Sequence, residues 1–353
     1  MTTFPVKQLI HYYEQYERKI GVASLAAGFI VDALTLQRID ALRENLWLLA
    51  NLILAAVCIV AINRRETSES KHFWFENLLQ FSFGALLGSI FIFYFRSATV
   101  SAAWPFLLLL FLALVGNELY QKRYKKLAFQ LSFLYFSLFS FCIFLVPLLI
   151  RRIGPEIFLL SGIVSIFLIW IYITLLKNLA REKFLEERTG IRSFIIAIFI
   201  GINVLYFTNL IPPIPLSMKD AGVYHSISRL GADYLVTEEE RHFWELGSDT
   251  IHWIPGEKLI AYTAIFSPGS IDTDIVHEWQ YKSGGEWITA TTIPLHLSGG
   301  RSGGFRTYSG KENFSEGKWR VDVKTPHGQV IGRVKFEIEI SPKAPELVTV
   351  VKK

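Results

Sequence analysis

The stretch from Phe194 to Leu210 carries no charged residue and is almost wholly apolar. A helix needs roughly 20 such residues to cross a hydrocarbon core, and Ile191 and Arg192 supply the near edge. Pro212, Pro213 and Pro215 end it, because proline has no amide hydrogen and its ring clashes with the preceding turn. This span divides the chain. Everything before it is greasy and helical, and everything after it alternates like a water-exposed β domain.

Composition agrees with that division. Hydrophobic residues make up 51% of the chain, mean hydropathy is +0.34, and there are 28 phenylalanines, more than a water-soluble core needs. The net charge of +5 is informative only once split. Residues 1–215 hold twenty Lys and Arg against thirteen Asp and Glu, whereas residues 216–353 hold sixteen against eighteen. The basic excess belongs to the helical part, so the β part lacks the basic footprint of a nucleic-acid binder. Cys58 and Cys142 both lie in apolar runs, so the β part has no disulfide and must be held by its core. Met1 to Lys19 lacks the apolar region of a cleavable signal peptide. Its aromatic and apolar residues recur at helical spacing among charges, which predicts an interfacial amphipathic helix over 1–19.

Apolar length predicts a seven-span α-helical transmembrane bundle over 20–211, with spans near Ile20–Gln37, Leu46–Ile62, Asn77–Phe95, Ala102–Leu119, Leu127–Ile150, Glu156–Leu176 and Ile191–Leu210. One set of loops carries fifteen Lys and Arg and the other set five. By the positive-inside bias this puts the N-terminus in the cytoplasm and the C-terminal part outside it, in a bacterial inner membrane. Gly84 and Gly88 form a small-xxx-small pair that lets helices approach closely, and internal packing is its plain use. Asp32 and Glu118 are the ionisable intramembrane candidates. A transporter with a site near Asp32 is the alternative reading, although only Pro147 and Gly201 hint at the helix breaks transporters use. Asn178–Gly190 reads as a charged helical extension capped by Gly190.

After a proline-rich junction at 212–217, the period changes to two. Trp319, Val321 and Val323 alternate with charged residues, as do Val334, Phe336, Ile338 and Ile340, and Pro326-His-Gly328 is the turn between them. Leu259–Phe266, Ile275–Tyr281 and Trp287–His296 read as further strands, with an edge strand within Val223–Leu235 and a short helix over Glu238–Leu246. Several short strands separated by turns predict an all-β, immunoglobulin-like sandwich over 218–345, followed by a tail at 346–353.

A resemblance rests on particular pieces of this part. They are Ile211 to His225, His277-Glu-Trp279, Gly299 to Ser309 with its Arg306-Thr-Tyr-Ser, Gly317-Lys-Trp-Arg-Val321 and Gly328-Gln-Val-Ile-Gly332. Together they resemble the bacterial family named domain of unknown function 2914, in its membrane-anchored form. The resemblance implies an envelope protein with an extracytoplasmic β module. It carries no established activity and no catalytic residue. Shorter family members keep these pieces without the spans, which implies that the β module is the functional unit.

The candidate chemistry is sparse. His225, His242, His252, His277, His296 and His327 are scattered without ligand spacing, so neither a metal nor another cofactor is expected. No Gly-x-Ser-x-Gly elbow exists, and Ser309 with His277 is the only nucleophile–base pair on offer for an envelope-modifying enzyme. The chain therefore reads as a non-enzyme. A ligand site is better placed at Arg301 and Arg306 beside a glycine-rich loop, with Tyr308, Trp279 and His277. The expected partners are the lipid bilayer and an envelope glycan, an anionic lipid headgroup or an envelope protein. The rival for this loop is a hairpin in which Arg306 pairs with an acid such as Glu278 and the aromatics fill the core.

Overall fold

The computed structural model describes residues 29–30, 32–36, 41–64, 69–97, 100–119, 126–213, 215–231, 233–240, 250–267, 273–297 and 304–352. The interfacial helix expected over 1–19, and most of the span expected at Ile20–Gln37, lie outside them. The chain divides into two compact units, one made of helices and one containing all the strands.

Besides a helical stretch at 32–35, six helices are delimited among the described residues: α1 (Leu42–Asn63), α2 (Glu69–Ser97), α3 (Val100–Leu119), α4 (Leu127–Ile150), α5 (Pro155–Leu179) and α6 (Arg181–Phe207). Five of these contain stretches long and apolar enough to cross a membrane, and α3 contains a shorter apolar stretch, Ala103–Asn117. In α4, 67% of the apolar window is buried, against 28% in α5 and 22% in α6. So α4 is central, and α5 and α6 turn Ile163, Phe167, Trp170, Ile196, Ile200 and Val204 outward. A surface this apolar is unfavourable in water.

Some polar groups inside the unit bond across helices, while the buried hydroxyls of Ser89, Ser137 and Ser140 have no partner among the described residues. Asn63 donates both to Ile59 O in its own helix and to Gln130 Oε1 on α4, each at 2.7 Å. Tyr172 donates to Ala56 O at 2.8 Å, and Asn117 to Gln80 O at 3.2 Å. Such bonds hold helices together where apolar burial cannot discriminate between partners. Gly84 and Gly88 work inside the unit, since a Cβ there would lie 3.5 Å from Asn117 Nδ2 and 3.2 Å from Asp32 Oδ2.

Two expectations are corrected here. Gly190 is not a helix cap: α6 runs through it from Arg181, and the break falls at Ala180, with φ −136° and ψ 51°. A Cβ at Gly190 would meet Ala128 Cβ at 3.6 Å, so the glycine serves close approach of α6 to α4. Pro147 does not break α4 either, which continues to Ile150.

The charged turns of α6 have a packing role. The Glu187 carboxylate accepts the Ala128 amide at 2.8 Å and the Leu127 amide at 3.2 Å, both in the first turn of α4. First-turn amides have no acceptor within their own helix, and a carboxylate there also meets the positive end of the helix dipole.

The other unit holds eleven strands: β1 (Ser217–Tyr224), β2 (Ser226–Leu230), β3 (Asp233–Glu239), β4 (Thr250–Trp253), β5 (Leu259–Phe266), β6 (Thr273–Ser283), β7 (Glu286–Leu297), β8 (Phe305–Lys311), β9 (Gly317–Lys324), β10 (Val330–Ile340) and β11 (Leu347–Lys352). They form three sheets, ordered β1-β5-β8, β4-β10-β9-β6-β7 and β11-β3-β2. All pairs are antiparallel except β4 with β10. The β9–β10 hairpin forms as its alternation predicts, with Val321 opposite Val334 and Trp319 opposite Phe336. Ser283 pairs with Glu286 across Gly284 and Gly285, at φ 58° and 92°. A two-residue turn of this kind needs positive φ at both positions, which glycine adopts without strain.

Four expectations change. The edge strand expected within Val223–Leu235 is three strands, β1 to β3. The helix expected over Glu238–Leu246 begins on residues that belong to β3, and 241–249 lie outside the described residues. The tail at 346–353 supplies β11, which pairs with β3 from Leu347–Glu239 to Lys352–Tyr234. Of the glycine-rich stretch ending at Arg306, residues 299–303 lie outside the described residues, and Phe305 and Arg306 begin β8.

The core is shared between sheets. Leu259 and Ala261 of β5 pack with Trp279, Trp319, Val321, Phe336 and Ile338 of the five-stranded sheet. On the other face of β5, Tyr262 and Ala264 pack with Val236 of β3. The middle strand β5 is therefore covered on both faces, while β8 at the sheet edge leaves Tyr308 exposed.

Replacing Glu187 by Ala should lower the stability of the detergent-solubilised protein by about 1 kcal/mol, the usual cost of a lost helix cap, with Glu187→Asp intermediate. Thermal unfolding checks this, and an unchanged midpoint in Glu187→Ala would remove the capping role.

Candidate functional site

Strand β8 decides how the expected site residues fall. Successive side chains on a strand point to opposite faces. Thr307 and Ser309 are buried, while Arg306 and Tyr308 lie on the other face, Tyr308 being 49% exposed. The five residues expected to form one ligand site therefore do not converge. His277 and Trp279 line the interior with Thr307 and Ser309, Tyr308 is exposed on the opposite face, Arg306 shares that face with a side chain only 12% exposed, and Arg301 lies outside the described residues.

The inward set is a buried hydrogen-bonded chain. Trp279 Nε1 donates to Ser309 Oγ at 3.1 Å, and Ser309 Oγ lies 2.9 Å from His277 Nδ1. His277 Nε2 lies 3.0 Å from Thr263 Oγ1, which lies 3.0 Å from Thr307 Oγ1. With Nδ1 as acceptor and Nε2 protonated, each bond from Ser309 to Thr307 has a donor and an acceptor. His277 and Thr263 are fully buried, and burial lowers the His277 pKa to about 4.

Ser309 and His277 thus form the nucleophile–base contact anticipated from the sequence, but the pair is sealed. Ser309 already accepts the Trp279 indole, and the other imidazole nitrogen faces threonine instead of an orienting carboxylate. Nucleophilic catalysis needs both access and that third group. Trp279 is packed edge-on against Phe314 and Phe336, with ring centroids at 5.8 and 6.2 Å, so it offers no face to a sugar. Both residues are corrected from ligand-binding to core positions.

The outward set is a surface. Arg306 Nη1 donates to Asp233 Oδ1 at 3.3 Å, which ties β8 to the β2–β3 hairpin. The Tyr308 ring sits 6.2 Å from Tyr234 at 69°, and Tyr234 sits 5.9 Å from Tyr262. A row of tyrosines therefore runs from the interior to an exposed ring beside a guanidinium. Glu278, suggested as the Arg306 partner, lies on the outer face of the five-stranded sheet, on the far side of the core. There it accepts from Lys324, Thr289 and Gln280.

Two polar clusters were not legible in the sequence. On β9 and β10, Arg333 makes a two-pronged contact with buried Asp322, at 2.6 and 2.8 Å. Elsewhere Glu239 accepts from His225 Nε2 at 3.0 Å and from the His252 backbone amide and Nδ1 at 2.6 and 2.7 Å, joining β3 to β4. Burial alone would raise the Glu239 pKa, but the hydrogen bonds from His225 and His252 outweigh it and leave the carboxyl below its usual value. These groups contact one another directly instead of surrounding a void. Among the described residues no group of three or more His, Cys, Asp or Glu is placed to hold a metal ion.

Of the helical candidates, Asp32 is half-buried beside Gly88. Glu118 lies near the C-terminal end of α3, and its side chain is outside the described residues.

Comparison with known proteins adds one positive result. Residues 272–338 match the model of a family described as a protein of unknown function, DUF2914. The match runs from β6 into β10 and so includes His277, Trp279, Arg306, Tyr308 and Ser309. No curated protein matches the chain. Among solved structures, the Pseudomonas fluorescens alkylpurine DNA glycosylase AlkC bound to DNA containing an abasic site analog aligns over 86% of this chain and 99% of that one, at 8% identity and a TM-score of 0.24. A likeness at that level supports no shared fold and no shared activity.

The buried imidazole makes stability depend on pH in a definite direction. An unfolded histidine titrates near 6.5 and folded His277 near 4. Between these values the unfolded chain binds more protons, so the stabilisation is complete above about pH 6.5 and is lost as pH falls toward 4. The difference is worth on the order of 3 kcal/mol. Exchange protection of β6 amides in the full-length protein should fall more steeply over this window in the wild type than in His277→Gln. Parallel profiles would show that His277 does not carry the dependence.

Proposed function

We propose that this chain, which carries the DUF2914 segment near its C-terminus, is a multispanning bacterial inner-membrane protein that displays its β module outside the cytoplasm, where it binds an envelope component. The membrane setting is supported by five helices with stretches long enough to span and by the outward apolar residues of α5 and α6. The orientation rests on the loop charge bias of fifteen against five. With residues 20–37 counted as a span there are seven, which leaves the β module on the far side from the N-terminus.

The observation that carries the binding role is the exposed Tyr308 ring with Tyr234 behind it, beside the largely buried Arg306 guanidinium, which would have to exchange its Asp233 contact for the ligand's carboxylate. An aromatic face stacks on the apolar face of a sugar ring, and a guanidinium fork takes a carboxylate. The ligand chemistry this favours is an anionic glycan. An immunoglobulin-like layout for the module is the finer reading of its fold, although such scaffolds place binding residues mostly on loops and Tyr308 here lies on a strand.

A catalytic role is less well supported, because the one nucleophile–base pair is sealed. A transport role rests on Asp32 alone, in a unit whose other polar side chains mostly bond within their own helices.

Full-length protein in detergent should bind uronic-acid oligosaccharides more tightly than their neutral counterparts. Tyr308→Ala should weaken that binding about tenfold, the loss of roughly 1.4 kcal/mol of stacking and desolvation, while leaving the thermal melt unchanged. Arg306→Lys should remove the preference for the acidic sugar, since a point charge cannot replace the fork. Equal binding by wild type and Tyr308→Ala in a titration would overturn this assignment of the surface.

A further inference from the structure

The β unit contains two arginine–aspartate contacts of different kinds. Arg333 closes on Asp322 with two prongs, at 2.6 and 2.8 Å, and the Asp322 side chain is 2% exposed. That is a guanidinium fork locked on a carboxylate inside the fold. Arg306 donates from Nη1 to Asp233 Oδ1 at 3.3 Å, longer than the roughly 2.7–2.9 Å usual for a charge-assisted bond. The Arg306 side chain is 12% exposed and the Asp233 side chain 38%, so the carboxylate is the partner more open to solvent. Asp233 starts β3 opposite Leu230 at the end of β2, where the hairpin turns.

This looser contact stands beside Tyr308. Arg306 and Tyr308 are two residues apart on one face of β8, which separates their backbones by about 7 Å along the strand. A sugar stacked on the exposed Tyr308 ring therefore brings its own carboxylate to a guanidinium that already holds one. Removing the partner of a largely buried charge is strongly destabilising. Exchange of one carboxylate for another at Arg306 is thus favoured over simple loss of Asp233.

From these observations we infer that Asp233 is a built-in competitor for the ligand's carboxylate. It occupies Arg306 in the unliganded protein, an acidic sugar binds by displacing it, and position 233 sets the margin between acidic and neutral sugars. This rests on the reading of the Tyr308 face as an anionic-glycan surface and names the residue that regulates it. A site that is open for only a fraction of the time binds more weakly by that fraction, so a guanidinium engaged about nine-tenths of the time loses roughly tenfold in affinity. The competitor also discriminates. A neutral sugar has no carboxylate to offer in exchange, so it leaves Asp233 in place and gains nothing when Asp233 is removed.

The test is calorimetric titration of full-length protein in detergent with an oligogalacturonate and with its methyl ester, which is neutral but keeps the same rings. Asp233→Asn should bind the oligogalacturonate about tenfold more tightly than wild type and the methyl ester equally well. With Arg306→Gln in the same chain, that gain should disappear, because it acts through the guanidinium. Asp233→Ser, which also removes the carboxylate, should repeat the result if Asp233→Asn fails to fold. Wild-type binding of the oligogalacturonate with no gain in Asp233→Asn would overturn this inference and leave the glycan surface standing. An equal gain for the methyl ester, or a gain that survives Arg306→Gln, would overturn it too. No binding of the oligogalacturonate by either protein would overturn the surface itself, and the competitor with it.

Discussion

The constraint on which the rest depends is that the helical unit is apolar on the outside as well as the inside. Ile163, Phe167 and Trp170 on α5 and Ile196, Ile200 and Val204 on α6 point away from the core and are exposed. Each exposed Å² of such surface costs roughly 25 cal/mol in water, so this surface suits an apolar medium better than water. Every backbone polar group must then be satisfied locally, which helices achieve and open sheets do not. Some polar side chains do the same, as when the Asn63 amide donates both to its own helix and to Gln130. The sheets, with their unpaired edges, belong to the other unit.

Within the β unit the corresponding constraint is the hydrogen-bonded chain from Trp279 to Thr307. It runs between two sheets and uses side chains from β5, β6 and β8. A buried polar group left unpaired costs about 1–3 kcal/mol, so this chain fixes the register of β8 more firmly than apolar contacts alone would. That register sets Thr307 and Ser309 inward, and so determines that Arg306 and Tyr308 emerge together on the opposite face. The buried network and the surface patch are two consequences of one alternation.

Much of the architecture could be read from the residues, and the failures have definite causes. Leu259–Phe266 was legible as a strand because its flanks are punctuated, and β9 and β10 were legible because apolar and charged residues alternate strictly. Strand β8 was hidden because its inward residues are Thr307 and Ser309, which look solvent-facing until their partners are known. Leu347–Lys352 looked like a tail because a short terminal strand has no turn after it to mark its end. Glu238 and Glu240 after Thr237 imitate a helix N-terminus, yet Glu238 and Glu239 lie in β3, and Glu239 serves the two histidines. Gly190 looked like a cap because its other role, room for Ala128, depends on a helix remote in sequence. Of the residues expected to form one site, Arg306 and Tyr308 share a strand face. Without knowing that β8 is a strand, its parity could not separate them from His277 and Trp279.

The central claim is a division of surroundings, with the helical unit in the bilayer and the β module beyond it, outside the cytoplasm. Fusion of alkaline phosphatase after Lys353 tests this most directly, because that enzyme is active only where disulfides form. The account predicts high phosphatase activity from this fusion and none from a fusion within Arg181–Gly190. Activity with the opposite pattern would contradict it.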